Sequence, residues 1–386
     1  MSEFLSPEDK KIVPVFNEAV NYQMTIHIGG EAKGADLNKL DDQEFTELVM
    51  NSERQPLKPL AIARDMLGYD ETATAADIMS GLHNEHLALK SLYLSNGIDP
   101  TQALDDSADI IDLTESYIAG YSRMIGGFAQ RVEMSEPGAN GLRRWNDKIW
   151  VPEEDGHDRS LGLDRLARDR GGDQFDDDHV RLMQIGVHPV LDSIPAAMSY
   201  PDLQEGATDP SYSNRSALLG PNLGQLPKLI GKQEVYHFRM YGGVLKKVMD
   251  ADPDRTLLAF EKEVKNFDMP GREGIRDYEK REKAAALTGL LDPASILDVQ
   301  RKTIKRLGVS ERNFATEEAK RAQHELTNPD GSYGDAALAK KQRQLDLIRE
   351  RKVNIAVKAG GLMPAILGVT VVAHPVTGEL TFPYNK

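Results

Sequence analysis

The sequence predicts an all-α protein: one large helical domain over residues 1–386, with its core at about 75–310 and a divergent C-terminal extension carrying a small β-hairpin at about 360–386. Three observations predict it. Successive stretches place apolar residues three and four apart, the spacing of one helix face. No internal repeat and no obvious linker divides the chain. Its 386 residues can bury a substantial core without a covalent staple, and none is available, because the chain has no cysteine.

The elements follow in order. Residues 75–95 carry the helical spacing and stop at Asn96-Gly97. Residues 103–128 repeat it with Ile110, Ile111, Leu113, Tyr117, Ile118, Tyr121 and Ile125, and Gly126-Gly127 weakens the end. Trp145 to Leu166 is the next helix, after the turn-like Pro137-Gly138-Ala139-Asn140-Gly141. An acidic stretch at 171–179 precedes a helix over 179–199. Residues 206–227 read as a loop, with Gly206, Pro210, Gly220, Pro221, Gly224 and Pro227. A helix then starts at Pro227, since proline suits the first helical position, and runs to about Asp250. Thr256 caps a helix over 256–267. Further helices are expected at 276–291, 293–307 and 335–357. Ile366 to Ala373 and Glu379 to Phe382 flank a Pro/Gly loop and read as the terminal hairpin.

Composition narrows the function. Without cysteine there is no disulfide, thiolate ligand, iron–sulfur cluster or cysteine nucleophile, so any metal must be held by His, Asp or Glu. A net charge of −14 argues against a general nucleic-acid or anionic-membrane binder. No apolar run approaches the length of a membrane span. The N-terminus lacks the basic start and apolar stretch of a signal peptide, so a cytoplasmic location is expected. No P-loop, G-x-G-x-x-G or G-x-S-x-G motif supports a kinase or serine hydrolase.

Two of the nine histidines have a glutamate three residues before them: Glu154-Asp155-Gly156-His157 and Glu234-Val235-Tyr236-His237. Positions i and i+3 share a helix face, so each pair can aim a carboxylate and an imidazole at one point. Two such helices, with a single glutamate from each of two others, form the di-iron carboxylate pattern of helical bundles. Carboxylates bridge and neutralise two iron ions, and one imidazole per iron leaves positions open for dioxygen. By chance roughly 0.7 such pairs are expected, so the pairs alone do not decide against solvated glutamates and packed histidines. Order adds weight: Glu115 stands in the helix upstream of the first pair, and Glu205 precedes the second.

Several stretches resemble the soluble acyl-acyl-carrier-protein desaturases of plants and bacteria. The most specific runs from Leu245 to Phe260, where Asp252-Pro253-Asp254-Arg255-Thr256-Leu257-Leu258-Ala259-Phe260 resembles that family's D-P-D-x-T-x-x-A-F segment. Phe267-Asp268-Met269-Pro270-Gly271 is similar to its following turn. Trp150-Val151-Pro152-Glu153-Glu154-Asp155-Gly156-His157-Asp158 is similar to its W-T-A-E-E-N-R-H box, and Tyr200 to Thr208 to its Y-x-x-F-Q-E-R-A-T box. Thr114-Glu115 resembles its T-E-E step. The resemblance covers about residues 100–310.

The resemblance implies a ferritin-like bundle with a di-iron site in four central helices. Residue by residue, Glu115 and Glu205 match terminal carboxylates, Glu154 and Glu234 bridging ones, and His157 and His237 the imidazole of each iron. Thr208 matches a hydroxyl beside the dioxygen pocket. The implied activity inserts a double bond into an acyl chain held on acyl carrier protein, using dioxygen and electrons from a ferredoxin-type donor, in a homodimer.

Departures bear on activity. Gln233 stands where the family has an aspartate thought to orient a histidine ligand and carry electrons, and Val235-Tyr236 replace a basic pair. No tryptophan occurs in the N-terminal third. Pro201, Gly206 and Pro210 around Glu205 imply a shortened or broken helix there. These leave open a di-iron oxygenase acting on another substrate, or a desaturase-like partner or sensor without redox activity. An acidic carrier protein must dock on local positive charge. Candidates are Arg143-Arg144, Lys246-Lys247, Arg301-Lys302 with Lys305-Arg306, and the run from Lys340 to Lys352, of which Lys246-Lys247 lies nearest a ligand pair. His83 and His86 lack the glutamate of a zinc-protease motif and are expected to pack. Asp176-Asp177-Asp178-His179 is expected to be solvated.

Overall fold

A computed structural model describes residues 5–327, apart from 34, 53, 96, 171–176, 179, 183, 185–190, 268, 273 and 292, and beyond them only 372–373 and 380–381. The helices are α1 (Pro7–Ile28), α2 (Asp42–Met50), α3 (Pro59–Met66), α4 (Ala75–Ser95), α5 (Ser107–Ser135), α6 (Gly141–Trp145), α7 (Val151–Ala167), α8 (Ile194–Leu223), α9 (Gln225–Ala251), α10 (Pro253–Asn266), α11 (Tyr278–Thr288), α12 (Pro293–Leu307) and α13 (Glu317–Thr327). Six residues in a π-helical turn, Thr101–Asp106, lead into α5, and a second such turn, Asn146–Trp150, joins α6 to α7. The all-α class is therefore as expected. Among the described residues no helix is long and apolar enough to cross a membrane.

Local chemistry explains the helix ends. Ser6 caps α1 by accepting from Asp9 N, and Pro7 stands at its first position. Asp41 and Glu44 form a reciprocal capping box on α2. Gly289 ends α11 in the left-handed conformation that a side chain would disfavour. Helix α10 begins at Pro253, so Thr256 lies inside it rather than at its cap; its hydroxyl donates back to Asp252 O.

The largest departure from expectation is α8. The stretch 206–227 is not a loop, and Glu205 is not on a shortened helix. The chain stays helical from Ile194 to Leu223, with one non-helical residue at Gly220 (φ 78°). Pro201 and Pro210 each remove one backbone donor, a local cost that burial along the helix overcomes. Gly206 is there for clearance: a Cβ at this position would lie 2.5 Å from Val299 Cγ1 and 2.8 Å from Phe238 Cε2. Helix α9 likewise starts at Gln225, ahead of Pro227. Likewise α5 continues past Gly126-Gly127 to Ser135.

The terminal hairpin is a second correction. Only Val372–Ala373 and Leu380–Thr381 are described there, paired antiparallel. Two residues a side, with no third strand beside them among the described residues, do not support a hairpin. The helix expected at 335–357 lies outside the described residues, as does part of that at 179–199.

Helices α8 and α9, joined through Gly224, form a hairpin with the most extensive packing in the molecule. α5 packs on α7, α7 on α9, and α5 on α8, so these four close a ring. α1 lies along α9, while α10 and α12 cover α8 and α11 covers α5. One large apolar core fills the ring and its flanks, and a smaller one gathers α3, α4 and the ends of α7 and α8. The α5–α7–α8 part of the ring also holds a buried ionic layer. Arg168 reaches Asp112 (2.5 Å), Asp164 (3.1 Å) and Asp109 (3.2 Å). Arg215 bonds both Asp112 and Asp164, and His86 Nε2 meets Asp164 at 3.0 Å.

Gly206→Ala tests the clearance at Glu205. Alanine gains about 1 kcal/mol of helix propensity, but overpacking against Val299 and Phe238 costs about 1–3 kcal/mol. A lower urea midpoint is expected; an unchanged or higher one would mean that α12 moves aside freely.

Candidate metal centre

Each ring helix delivers its polar residues to one layer. α5 brings Glu115, α8 brings Glu205, and α7 and α9 bring the i, i+3 pairs Glu154/His157 and Glu234/His237. None is more than 1% exposed. The structure thus brings all six sequence-predicted residues together. They form two groups that could hold a metal ion: Glu115, Glu154, His157 and Glu234, and Glu154, Glu205, Glu234 and His237. Glu154 and Glu234 belong to both. His157 Nδ1 lies 3.3 Å from Glu115 Oε1, 3.4 Å from Glu154 Oε2 and 3.2 Å from Glu234 Oε1. His237 Nδ1 lies 3.0 Å from Glu154 Oε1, 3.4 Å from Glu205 Oε2 and 3.6 Å from Glu234 Oε2. The two shared carboxylates therefore turn one oxygen to each histidine.

The donor chemistry fits a pair of cations. The buried atoms without a hydrogen-bond partner include Glu115 Oε1, both oxygens of Glu154, Glu205 Oε2 and Nδ1 of both histidines. Such atoms are rarely left unsatisfied in a protein interior. Here they converge, and every one is a ligand type for a first-row metal. Without metal, protons must balance the charge. Burial raises Glu115 and Glu205 well above the usual carboxylate range, with the neighbouring Glu154 and Glu234 charges adding to it. Burial opposes charge on the imidazoles, yet the surrounding carboxylates hold His157 and His237 well above the ordinary histidine range.

A sequence profile of fatty acid desaturases matches residues 108–352, more than half of the chain and all six of these residues. The chain belongs to the fatty acid desaturase family. The desaturase centre thus lies wholly within the matched segment, whereas α1 to α4 precede it. No curated protein matches the chain.

Around the centre stand residues that sequence reasoning missed. Glu153 Oε2 accepts from His237 Nε2 at 2.7 Å, and its other oxygen accepts from His27 Nε2 on α1 at 3.2 Å. Burial opposes its charge, but His27 and His237 hold its carboxyl well below the usual range. Tyr212 donates to Glu115 Oε2 at 2.5 Å. The only sequence signals were a histidine between two isoleucines, Ile26-His27-Ile28, and the doubled acid Glu153-Glu154. Gln233 Oε1 accepts from His157 Nε2 at 2.9 Å, and its Nε2 donates to Gln55 O at 3.2 Å. Thr208 Oγ1 lies 3.1 Å from Glu234 Oε2 and 3.0 Å from Glu205 O, within bonding reach of either. His27 meets Trp145 edge-on at 4.8 Å, and Trp145 donates to Tyr241 OH at 3.3 Å.

Of the basic candidates, Arg144 is removed. It is buried, with its guanidinium on Leu37 O, Leu40 O and Asp42, because it anchors the segment before α2. Arg143 is tied to Glu133 and Asp42. Arg306 is drawn to Asp202, and Lys302 to Asp298. Lys246 and Lys247 are exposed on α9. The run from Lys340 to Lys352 lies outside the described residues. His86 and His83 pack as expected, the latter on Ala167 O. Of the acidic stretch, Asp178 pairs with Arg181 and Arg276, while Asp176 and His179 lie outside the described residues.

Metal must displace the protons that otherwise balance these carboxylates. Loading the metal-free protein with cobalt(II) at neutral pH is expected to release protons, and the apparent affinity to fall as pH falls. Calorimetry in buffers of different ionisation enthalpy checks this; metal uptake without proton release would contradict it.

Proposed function

We propose that the protein is a di-iron acyl-acyl-carrier-protein desaturase with a ferritin-like bundle, working as a homodimer and using dioxygen and electrons from a ferredoxin-type donor. The observation that carries the reading is the sharing of Glu154 and Glu234 between two otherwise separate donor groups. In this reading one iron would be held by Glu115, Glu154, His157 and Glu234, and the other by Glu154, Glu205, Glu234 and His237. Bound iron supplies the activation of dioxygen that removal of hydrogen from an unactivated methylene pair requires. The balance is one CH2–CH2 unit, one dioxygen, two electrons and two protons giving one CH=CH unit and two waters.

The chain's own residues supply position and exclusion of water. The donor layer is buried on every side, so the hydrogen-abstracting chemistry is shielded from solvent. Thr208, beside Glu234, offers a hydroxyl at the centre that can hold or pass a proton. Tyr212 fixes the orientation of Glu115 by holding its outer oxygen, which leaves Oε1 directed inward. The neutral Gln233 behind His157 is the one observation favouring the alternative, an oxygenase that hydroxylates or oxidises another substrate. The complete donor set speaks for a redox-competent centre rather than an inactive partner or sensor protein.

Product analysis tests the reading. Protein loaded anaerobically with ferrous iron, given reduced ferredoxin and acyl-carrier substrates of several chain lengths, is expected to form a monounsaturated product with matching oxygen uptake. No unsaturated product at any chain length would overturn it; a hydroxylated product would establish the alternative. Docking has its own test. Lys246→Glu with Lys247→Glu is expected to raise the apparent KM for acyl carrier substrate several-fold with kcat retained, and an unchanged KM would remove this patch.

A further inference from the structure

The two donor groups are matched in kind. Each has two shared carboxylates, one carboxylate of its own and one imidazole whose Nδ1 faces them. What stands behind the imidazoles is not matched. His237 Nε2 donates at 2.7 Å to Glu153, a fully buried acid. His157 Nε2 donates at 2.9 Å to Gln233, whose amide carries no charge and whose Nε2 donates in turn to Gln55 O. A carboxylate behind a ligating imidazole raises its basicity and fixes its ring; a neutral amide fixes the ring alone.

The carboxylates reinforce the difference. Tyr212 draws charge from Glu115, which belongs only to the His157 group, through a 2.5 Å bond. No tyrosine stands on the equivalent Glu205 carboxylate among the described residues; from outside the donor set Gln204 reaches it, at 3.4 Å. Thr208 acts in the opposite sense on Glu234 Oε2, the oxygen facing His237, but its single proton is shared with Glu205 O. His27 completes the arrangement. Its Nε2 holds the second oxygen of Glu153 at 3.2 Å, and its ring lies nearly parallel to His237 at 5.9 Å.

We propose that the two metal positions are unequal: the one at Glu154, Glu205, Glu234 and His237 fills first, binds more tightly and holds its metal at a lower reduction potential than the one at Glu115, Glu154, His157 and Glu234, with Glu153 and His27 as the positioning residues responsible. This rests on the reading of the centre as a two-metal site and names an order within it. The imidazole backed by a charged acid donates more electron density, which stabilises the higher oxidation state and hence lowers the potential. Removing an outer partner of a ligating histidine typically costs about 10–100-fold in metal affinity, so the two steps should be resolvable.

The experiment is an anaerobic titration of the metal-free full chain with cobalt(II), followed by its visible ligand-field absorption, with potentials read on the iron-loaded protein by spectroelectrochemistry. The natural chain is expected to show two steps at least tenfold apart, and two potentials. Glu153→Gln should weaken the first step about 10–100-fold, raise the lower potential and bring the steps together. His27→Ala should do the same to a smaller extent. Gln233→Glu should tighten the second step instead, which keeps the proposal testable if Glu153→Gln does not fold. At one equivalent, His157→Ala should keep the natural spectrum and His237→Ala should lose it. Two equal steps in the natural chain, or steps unmoved by both Glu153→Gln and Gln233→Glu, would overturn the inequality while leaving a two-metal centre standing. A natural chain that takes up no cobalt would overturn the two-metal reading and this inference together.

Discussion

The structure depends on one constraint, the burial of like charge. Glu115, Glu153, Glu154, Glu205 and Glu234 all lie in the interior of one helical ring. An unpaired carboxylate there would cost several kcal/mol, on the order of what stabilises a whole domain. The fold answers in two ways. Glu153 is placed between two imidazoles, so its charge meets a donor at each oxygen. The other four share two imidazoles among them, which leaves acid in excess. Four carboxylates and two dications sum to zero, so a pair of divalent ions would neutralise the excess that protons must otherwise balance.

That layer then dictates its surroundings. Four helices must pass through it unbroken, because each ligand's register depends on the turn below it. Helix α8 therefore runs through Pro201, Gly206 and Pro210, and its irregular residue falls at Gly220, more than three turns past Glu205. Away from the carboxylates, the ring uses a second charged layer, with Arg168 and Arg215 set among Asp109, Asp112 and Asp164. Here each charge has a partner of opposite sign, so no cation from outside is required. One layer is closed by protein alone, and the other has the donor set that a pair of cations would close. Where the ring needs to re-aim side chains, it uses π-helical turns, one before α5 and one before α7.

What the sequence made legible follows the range of the interactions involved. Helix α12 was read as 293–307 and α4 as 75–95, because periodic burial writes itself into neighbouring residues. Four of the six centre residues are legible for the same reason, since the i, i+3 pairs Glu154/His157 and Glu234/His237 are local; Glu115 and Glu205 stand out only through their order along the chain and the resemblance of the stretches around them. Helix α8 was misread because proline and glycine were weighed by local propensity. The pressure that demands glycine at 206 comes from Val299 and Phe238, distant in sequence. His27 left only the faint trace of a histidine between two isoleucines: its partner Glu153 is 126 residues away, and no periodicity marks a polar contact at that separation. Tyr212 is similar, an aromatic in a stretch read as loop, whose phenol finds Glu115 only once the ring has closed.

His27 also ties the N-terminal helix to the centre. The family match begins at residue 108, so α1 lies outside the segment that carries every ligand. Yet α1 packs along α9, the helix that holds Glu234 and His237, and its last turn supplies the second partner of Glu153. If Glu153 stiffens His237 for metal, then metal on His237 stiffens Glu153 for His27. Linkage makes this reciprocal: whatever free energy the docked α1 adds to metal binding, bound metal returns to the docking of α1. The matched segment thus provides a donor set that is nearly symmetric in composition. The inequality of its two halves comes from Glu153, Gln233 and Tyr212 within that segment and from His27 outside it.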